Sequence, residues 1–428
     1  MDSFTIRSLD RISMLPDSIL CHILSFLPMK YAVRTSTLST RYQYLWTYIT
    51  SLHFDNSELF TNDIGEAEAD LSFRNFVSTV LLLSNVSCLE KFSLKLESFC
   101  NIGIVKSWIS IAIKRNVQKL ELGYSQLCGE IPIQLPQTMF ICKTLVDLTL
   151  KGMVSLQIPA SVWLPSLKIL KMEDIIYENG DSAQKLIHGC PVLEYLDFHR
   201  EDAKSGEVLN ISVPTLKRLE VTCLGPGEQL IFNTPTLEYL DLTCYWAEGF
   251  SLVNLSSLLE ARIDIDLSGS RPINSANVLK LLRGIANVKF LWFHADITDY
   301  VPTTFHTLQN LTHLRLLCGF NCRGFNLNFL NDFLGCSPNL EALVLEGNRF
   351  SSTKSWSPPL RVPHCLLFNL KEVEFLYLRR ENREFEVIEY LLRNAEVLKK
   401  MTVDCQHSHI WQIAQVPRAS KTCILNLL

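Results

Sequence analysis

Much that would announce a chemistry is missing from this 428-residue chain. No Gly-x-Gly-x-x-Gly or Walker-type loop is there to cradle phosphates, no His-Glu-x-x-His to hold zinc, and no Gly-x-Ser-x-Gly to raise a nucleophile. No catalytic activity, metal or cofactor is therefore expected. An excess of one charge is missing too. Forty Lys and Arg against 44 Asp and Glu leave a net charge of -4, which gives no global pull toward nucleic acid or an anionic membrane. No apolar run approaches the roughly 18 residues of a membrane span, and residues 1–11 lack the apolar core of a secretory signal. The fourteen cysteines form no Cys-x-x-Cys pair. Reduced thiols in an intracellular protein, cytoplasmic or nuclear, are the expectation. The sequons at Asn85, Asn210, Asn254 and Asn310 are expected to stay unmodified there.

What metal-like or acidic clusters exist are weak. Cys405, His407 and His409 would share one face of a strand, with no fourth ligand in sequence reach. Cys318 and Cys322 flank a Gly-containing turn and read as a fold joint. Asp264 with Asp266 and Glu372 with Glu374 read as solvated strand positions.

With 47% hydrophobic and 20% charged residues, the chain has ample material for a large core. The stretch from Asp10 to Trp46 is denser still. Pro16 precedes Ile19, Leu20, Ile23, Leu24 and Leu27 at helical spacing, until Pro28 stops the run. A second short helix starts near Lys30, and Ser39 is placed to cap a third carrying Tyr42, Leu45 and Trp46. Below about 40 residues a chain seldom stands on its own core, so these helices must dock on something else.

This stretch resembles an F-box, the adaptor-binding module of cullin-RING ubiquitin ligases. The resemblance is carried by Asp10-Arg11-Ile12-Ser13, Leu15-Pro16-Asp17, Ile19-Leu20, Ile23 through Pro28, Ala32-Val33, Thr35-Ser36, Leu38-Ser39, Arg41 and Leu45-Trp46. Thr40 and Tyr42 depart from the lysine and tryptophan usual in the plant pattern; Tyr42 keeps a large ring. The resemblance implies an apolar contact with a Skp-type adaptor through Leu15, Pro16, Ile19, Leu20, Ile23, Leu24 and Val33. Leu27, Leu45 and Trp46 would hold the helices together.

A repeat organises the rest. Leu-x-x-Leu-x-Leu, with other apolar residues allowed, starts at Leu89, Val117, Leu145, Leu167, Leu193, Leu216, Leu237, Leu258, Val288, Leu311, Leu340, Leu370 and Leu398. Successive starts lie about 21 to 30 residues apart, the period of leucine-rich repeats. Each unit supplies a short strand and a return segment. Residues 104–115, 181–188, 276–284, 325–334 and 387–393 read as helical returns, and Gly225 to Asn233 as a loop. Pro-x-Leu joints such as Cys190-Pro191-Val192-Leu193 and Cys336-Ser337-Pro338-Asn339-Leu340 introduce many strands, proline ending the return and cysteine acting as a small buried hydrophobe. The pattern resembles the leucine-rich solenoid of plant F-box proteins.

Trp356 through Pro359, Val362 through Leu366, Leu370 through Val373, and Glu386 through Met401 are similar to the FBD domain that follows such repeats. Physically this reads as strand, helix, strand, a cap on the solenoid's open end.

The fold class expected is α/β: a small helical F-box over 7–54, an irregular leucine-rich solenoid of parallel strands over 55–353, and an FBD-like segment over 354–428. The third and fifth template positions, and the one after the last apolar residue, should face outward. They include Lys91, Ser93, Lys95, Lys119, Glu121, Asp147, Thr149 and Lys151 early on. Tyr195, Asp197, His199, Arg218, Glu220, Tyr239, Asp241, Glu260, Arg262 and Asp264 follow, and then Phe290, Trp292, His294, His313 and Arg315. Acids interrupt any basic track, which argues against nucleic acid or a polyphosphate. Tyr239, Arg262, Phe290, Trp292, His294, His313 and Arg315 are the candidate substrate-binding residues, with Arg262 and Arg315 facing an acidic or hydrogen-bonding feature. The competing role for Trp292 is to sit under the 268–277 segment and serve only the fold. The resemblances imply the substrate receptor of a Skp-cullin-F-box ubiquitin ligase, with adaptor, cullin, RING subunit and an unidentified protein substrate as partners. A ligase-independent scaffold is the alternative.

Overall fold

The computed structural model describes residues 11–12, 14–59, 65–97, 100–125, 131–200, 207–223, 229–244, 249–265, 275–295, 307–318, 327–347, 356–377, 382–404 and 407–428. Asp10, Ser13, Asp266, Cys322, Cys405 and most of 268–277 lie outside them. The chain forms two compact units, residues 1–193 and 194–428.

The first unit opens with helices α1 (Asp17–Leu24) and α2 (Met29–Arg34), each begun directly after a proline. The expected third α-helix is a 3-10 stretch, Tyr42–Tyr48. Three tyrosines and a tryptophan in seven residues lose rotamer freedom in an α-helix, and no side chain caps this one; the tighter i to i+3 ladder suits a short piece. Then come β1 (Ser51–Asp55), helix α3 (Glu66–Leu83), β2 (Lys91–Leu96), helix α4 (Val105–Lys114) and β3 (Lys119–Tyr124). The unit closes with β4 (Ile133–Gln134), β5 (Asp147–Gly152), β6 (Val154–Leu156), β7 (Ile169–Glu173), β8 (Ile176–Tyr177) and helix α5 (Ser182–His188). Within it β1, β2, β3, β5 and β7 pair in parallel in that order, and β4, β6 and β8 form a second small sheet.

The second unit contains β9 (Tyr195–Arg200), β10 (Val208–Ile211), β11 (Arg218–Cys223), β12 (Gln229–Asn233), β13 (Tyr239–Cys244), β14 (Gly249–Val253) and β15 (Glu260–Ile265). Helix α6 (Ser275–Gly284), β16 (Phe290–Ala295), β17 (His313–Cys318), helix α7 (Leu327–Cys336) and β18 (Ala342–Gly347) follow. Helix α8 (His364–Phe368), β19 (Glu372–Leu376), helix α9 (Asn382–Asn394), β20 (Lys400–Val403), helix α10 (His407–Ala414) and β21 (Ile424–Leu427) end the chain. Here β9, β11, β13 and then β15 through β21 make one parallel sheet, while β10, β12 and β14 pair separately.

Every one of the thirteen template starts leads, two residues on, into a strand. The template leucines face inward, Leu240, Leu242, Leu314 and Leu316 being at most 1% exposed. Each such side chain contributes about 1.5–3 kcal/mol by leaving water. The prolines do not begin strands. They occupy the second position of a turn, in which the template residue's N–H donates back to the carbonyl before the proline: Leu167 to Leu164, Leu193 to Cys190, Leu216 to Val213, Leu237 to Thr234 and Leu340 to Ser337, at 3.1–3.3 Å. Cys190 and Cys336 are buried at these joints, and burial pushes their thiols up to about 12 and about 11.

In the second unit return type follows repeat length. Starts about 28 to 30 residues apart leave room for helices α6, α7 and α9. Starts about 21 to 23 apart, from Leu193 to Leu258, leave only an extended return. The expected loop at 225–233 is therefore partly strand β12, with Leu230 and Phe232 fully buried and parallel neighbours on both sides. At the end of β5, Gly152 has φ +74°, and a Cβ there would stand 2.1 Å from the Tyr124 carbonyl oxygen, so only glycine lets the chain cross.

The histidines His407 and His409 lie in α10, not on the strand that the metal-like cluster presumed. Among the described residues no three His, Cys, Asp or Glu side chains are placed to hold an ion. No described helix is long and apolar enough to cross a membrane.

A half-buried acid in α7 bears on stability. Asp332 Oδ2 is out of water with no hydrogen-bond partner among the described residues, and burial pushes its carboxyl up to about 6. A folded value above the ordinary carboxylate value means the protonated form suits the fold. That contribution is fully present below about pH 4 and is lost as pH rises through about 6. Asp332→Asn is expected to be more stable than wild type by about 1 kcal/mol at pH 7.5, screening included, and equal to it near pH 4. Denaturant unfolding at the two pH values checks this; a pH-independent difference would refute it.

Candidate interaction surfaces

The first surface is on α1 and α2. Two apolar rows run along α1, Ile19 with Ile23 and Leu20 with Leu24, each at helical i, i+4 spacing. Only one faces out. Ile19 is 45% and Ile23 42% exposed, whereas Leu20 and Leu24 are 1% and 4% exposed and pack inside with Met29, Ala32, Leu45 and Trp46. Leu20 and Leu24 are thus core residues and are withdrawn from the adaptor contact. Pro16 is exposed, and Leu15 and Val33 are half-buried. Leu27, expected to brace the helices, is 40% exposed, so the bracing falls to Leu45 and Trp46.

Phe26, just past the end of α1, is 74% exposed and packs edge-on against His22 at 4.9 Å, and Leu38 is 71% exposed. The spacing 19, 23, 26 is itself helical, a signal the sequence carried for Phe26. Arg41 fixes the start of α1: its Nε and Nη2 donate to Asp17 Oδ1 at 3.0 and 2.6 Å, and Nη2 also to the Leu15 carbonyl at 2.5 Å. Cys21 Sγ donates to the Leu45 carbonyl at 3.3 Å, joining α1 to the 3-10 stretch. The apolar row is therefore presented on a braced scaffold.

On the strand face of the first unit three lysines are paired with acids. Lys91 pairs with Glu121 at 2.8 Å, Lys95 with Glu97 at 2.5 Å, and Lys151 with Glu173 at 2.5 Å. Ser93, expected outward, is 1% exposed and donates to Glu121. Burial opposes ionisation of Glu121, but Lys91 and Ser93 outweigh it and hold its carboxyl below the ordinary range.

The second surface is the outward face of β9, β11, β13, β15, β16 and β17. Parallel pairing sets Tyr239, Glu260, Phe290 and His313 in one row, and Asp241, Arg262, Trp292 and Arg315 in the next. Strands about 4.8 Å apart make this four-strand patch about 15 Å wide. Phe290, 44% exposed, stacks on His313 at 4.6 Å between ring centroids. The Arg262 guanidinium lies 4.3 Å from the Trp292 ring centroid and 3.9 Å from Asp241. Arg315 Nε donates to Glu346 at 2.8 Å.

His294 is the exception. It is 5% exposed although it shares the strand face of Phe290 and Trp292, and its Nδ1 meets Asp264 Oδ1, its in-register neighbour on β15, at 2.6 Å, so it is covered and offers little surface to a partner. Arg218, left outside the expected site, touches it: its guanidinium sits 3.8 Å from the Tyr239 ring centroid and its Nη2 2.6 Å from Glu220. Its template position, matching Tyr239 one repeat on, was the available signal. Burial pushes the Tyr195 hydroxyl up to about 12, with Glu220 and Asp197 adding to it, and burial also raises Tyr239. Both stay protonated donors at neutral pH; the Tyr239 hydroxyl reaches Asp241 at 3.4 Å.

Three family models match this chain. The one described as F-box domain covers residues 12–53, that described as FBD-associated F-box protein At5g56370, LRR repeats, covers 105–255, and FBD covers 358–403. Among curated proteins, the FBD-associated F-box protein At4g10400 of Arabidopsis thaliana is 31% identical over 98% of this chain and 100% of its own length. The F-box/FBD/LRR-repeat protein At4g26340 of the same plant is 30% identical over 96% and 98%. The F-box/LRR-repeat protein At4g14103 reaches 36% over 79% and 92%. A chain from the crystal structure of a TLR13–ssRNA13 complex covers 80% of this chain and 60% of that chain, at a TM-score of 0.31 and 13% identity, too remote to carry an argument.

Proposed function

Since the chain belongs to the F-box/FBD/leucine-rich-repeat family, we propose that it is the substrate-recognition subunit of a Skp-cullin-F-box ubiquitin ligase. Its α1 and α2 dock the Skp-type adaptor through Pro16, Ile19, Ile23 and Phe26, with Leu15 and Val33 at the margin. Through the adaptor come cullin and RING subunits, which with a ubiquitin-conjugating enzyme do the chemistry. The strand face of the second unit selects the protein to be modified. The observation that carries this is the outward apolar row of α1: Ile19 and Ile23, with Phe26 exposed just past the helix, are kept in water by a segment whose other apolar row is already buried. The chain acts inside the cell and needs no catalytic residue of its own.

Recovery of adaptor and cullin with the tagged chain from native lysate tests the first half; recovery of other partners alone would mark a ligase-independent scaffold. The second half rests on the aromatic patch. Trp292→Ala with Arg315→Ala is expected to abolish capture of the substrate proteins, with adaptor binding unchanged and stability lowered by no more than about 1–2 kcal/mol. An unchanged set of captured proteins would put the site elsewhere.

A further inference from the structure

The arginines of the second unit's strand face suggest an acidic guest until their surroundings are considered. Resting on the reading that this face takes a substrate protein, we infer that the segment it takes is basic and extended, carrying Arg or Lys. Each described arginine of the face is already matched. Arg218 has Glu220 at 2.6 Å and the Tyr239 ring, Arg262 has Asp241 at 3.9 Å and the Trp292 ring, and Arg315 has Glu346. An acidic segment would find each guanidinium's charge already offset by a neighbouring carboxylate, and would meet that carboxylate's repulsion as well.

The charge beyond those pairs is acidic. Lys400 lies 3.6 Å from Glu374, and Asp264 faces a histidine, while Glu260 and Glu372 stand exposed at outward template positions. Glu260 occupies the same row as Tyr239 and Phe290, directly between them. A cationic side chain entering there meets a carboxylate flanked by two aromatic rings. Arg218 over Tyr239 shows within the chain itself that the row accepts a guanidinium over a ring. Phe290 stacked on His313 supplies the neighbouring apolar platform for the rest of an extended segment.

The test uses the full-length chain in complex with its adaptor, and two fluorescein-labelled peptides of equal length, alternating Arg-Ser and alternating Glu-Ser, at physiological salt. The Arg-Ser peptide is expected to bind and the Glu-Ser peptide not. Glu260→Lys should weaken Arg-Ser binding by about tenfold with an unchanged melting temperature. Glu396→Lys, an exposed charge reversal after α9, should leave binding as in wild type. Equal loss in both variants would mean only bulk charge attraction and overturn the inference, as would preference for the Glu-Ser peptide. Binding of neither peptide, while Trp292→Ala with Arg315→Ala still abolishes substrate capture, would overturn the inference and leave the substrate-receptor reading standing. Substrate capture that survives that double substitution, with adaptor binding intact, would remove both.

Discussion

Ile19→Asp with Ile23→Asp is expected to abolish co-purification of the chain with its Skp-type adaptor, an affinity loss of about 3–5 kcal/mol. Both side chains are more than 40% exposed in this chain, so they do little for its own fold, and a charge placed at each would be buried without a partner once the adaptor closed over them. The neighbouring row provides the contrast. Leu20→Ala removes a side chain that is 1% exposed, and should destabilise the first unit by about 2–5 kcal/mol while its outward row stays chemically intact. Undiminished adaptor recovery with the double Asp variant, measured against a melting curve unchanged from wild type, would refute the assignment of the α1 face.

Removing residues 357–428 should be nearly as severe, and for a different reason. Strands β19, β20 and β21 continue the second unit's sheet in register from β18, with Ala342 to Glu346 of β18 paired to Glu372 to Leu376 of β19. Val373, Phe375, Met401 and Val403 are at most 1% exposed and cover the layer beneath. Trp356 donates from Nε1 to Asn331 Oδ1 at 3.1 Å and packs edge-on against Tyr390 at 5.5 Å, fastening this segment to α7. The truncation would bare the hydrogen-bonding edge of β18 and the apolar side of α7 together, and should aggregate on expression. A soluble fragment that unfolds in one cooperative transition would show instead that the C-terminal segment is an independent body.

How much of this was legible beforehand depended on whether a side chain's role was fixed by local spacing. The Leu-x-x-Leu-x-Leu pattern named all thirteen strands that follow its starts, because alternation along a strand is a local property and inward leucines recur with it. Helices α4, α5, α6 and α7 fell within a residue or two of expectation, since their returns are long enough to show a helical period. Strands β1 and β21 lack the full template and were not anticipated. The outer strands β10, β12 and β14 were missed because their alternation spans only four or five residues, and only a neighbour on either side turns such a stretch into sheet.

The binding surfaces divide in the same way. The sequence determined by itself that this is a repeat protein with a helical N-terminal module, that its strand face mixes aromatics with both charge signs, and which positions on that face point outward, since these follow from composition and period. Which of two equally apolar rows of α1 faces water could not follow from period alone, because Leu20 with Leu24 and Ile19 with Ile23 have identical spacing; the packing of α1 on the 42–48 stretch, which buries Leu20 and Leu24, decided it. Nor could period tell that His294 is covered and paired sideways with Asp264, or that Arg262 and Arg315 are already matched by acids and a ring. Those pairings join residues about 20 to 30 positions apart, and only the registered stacking of neighbouring strands brings them into contact.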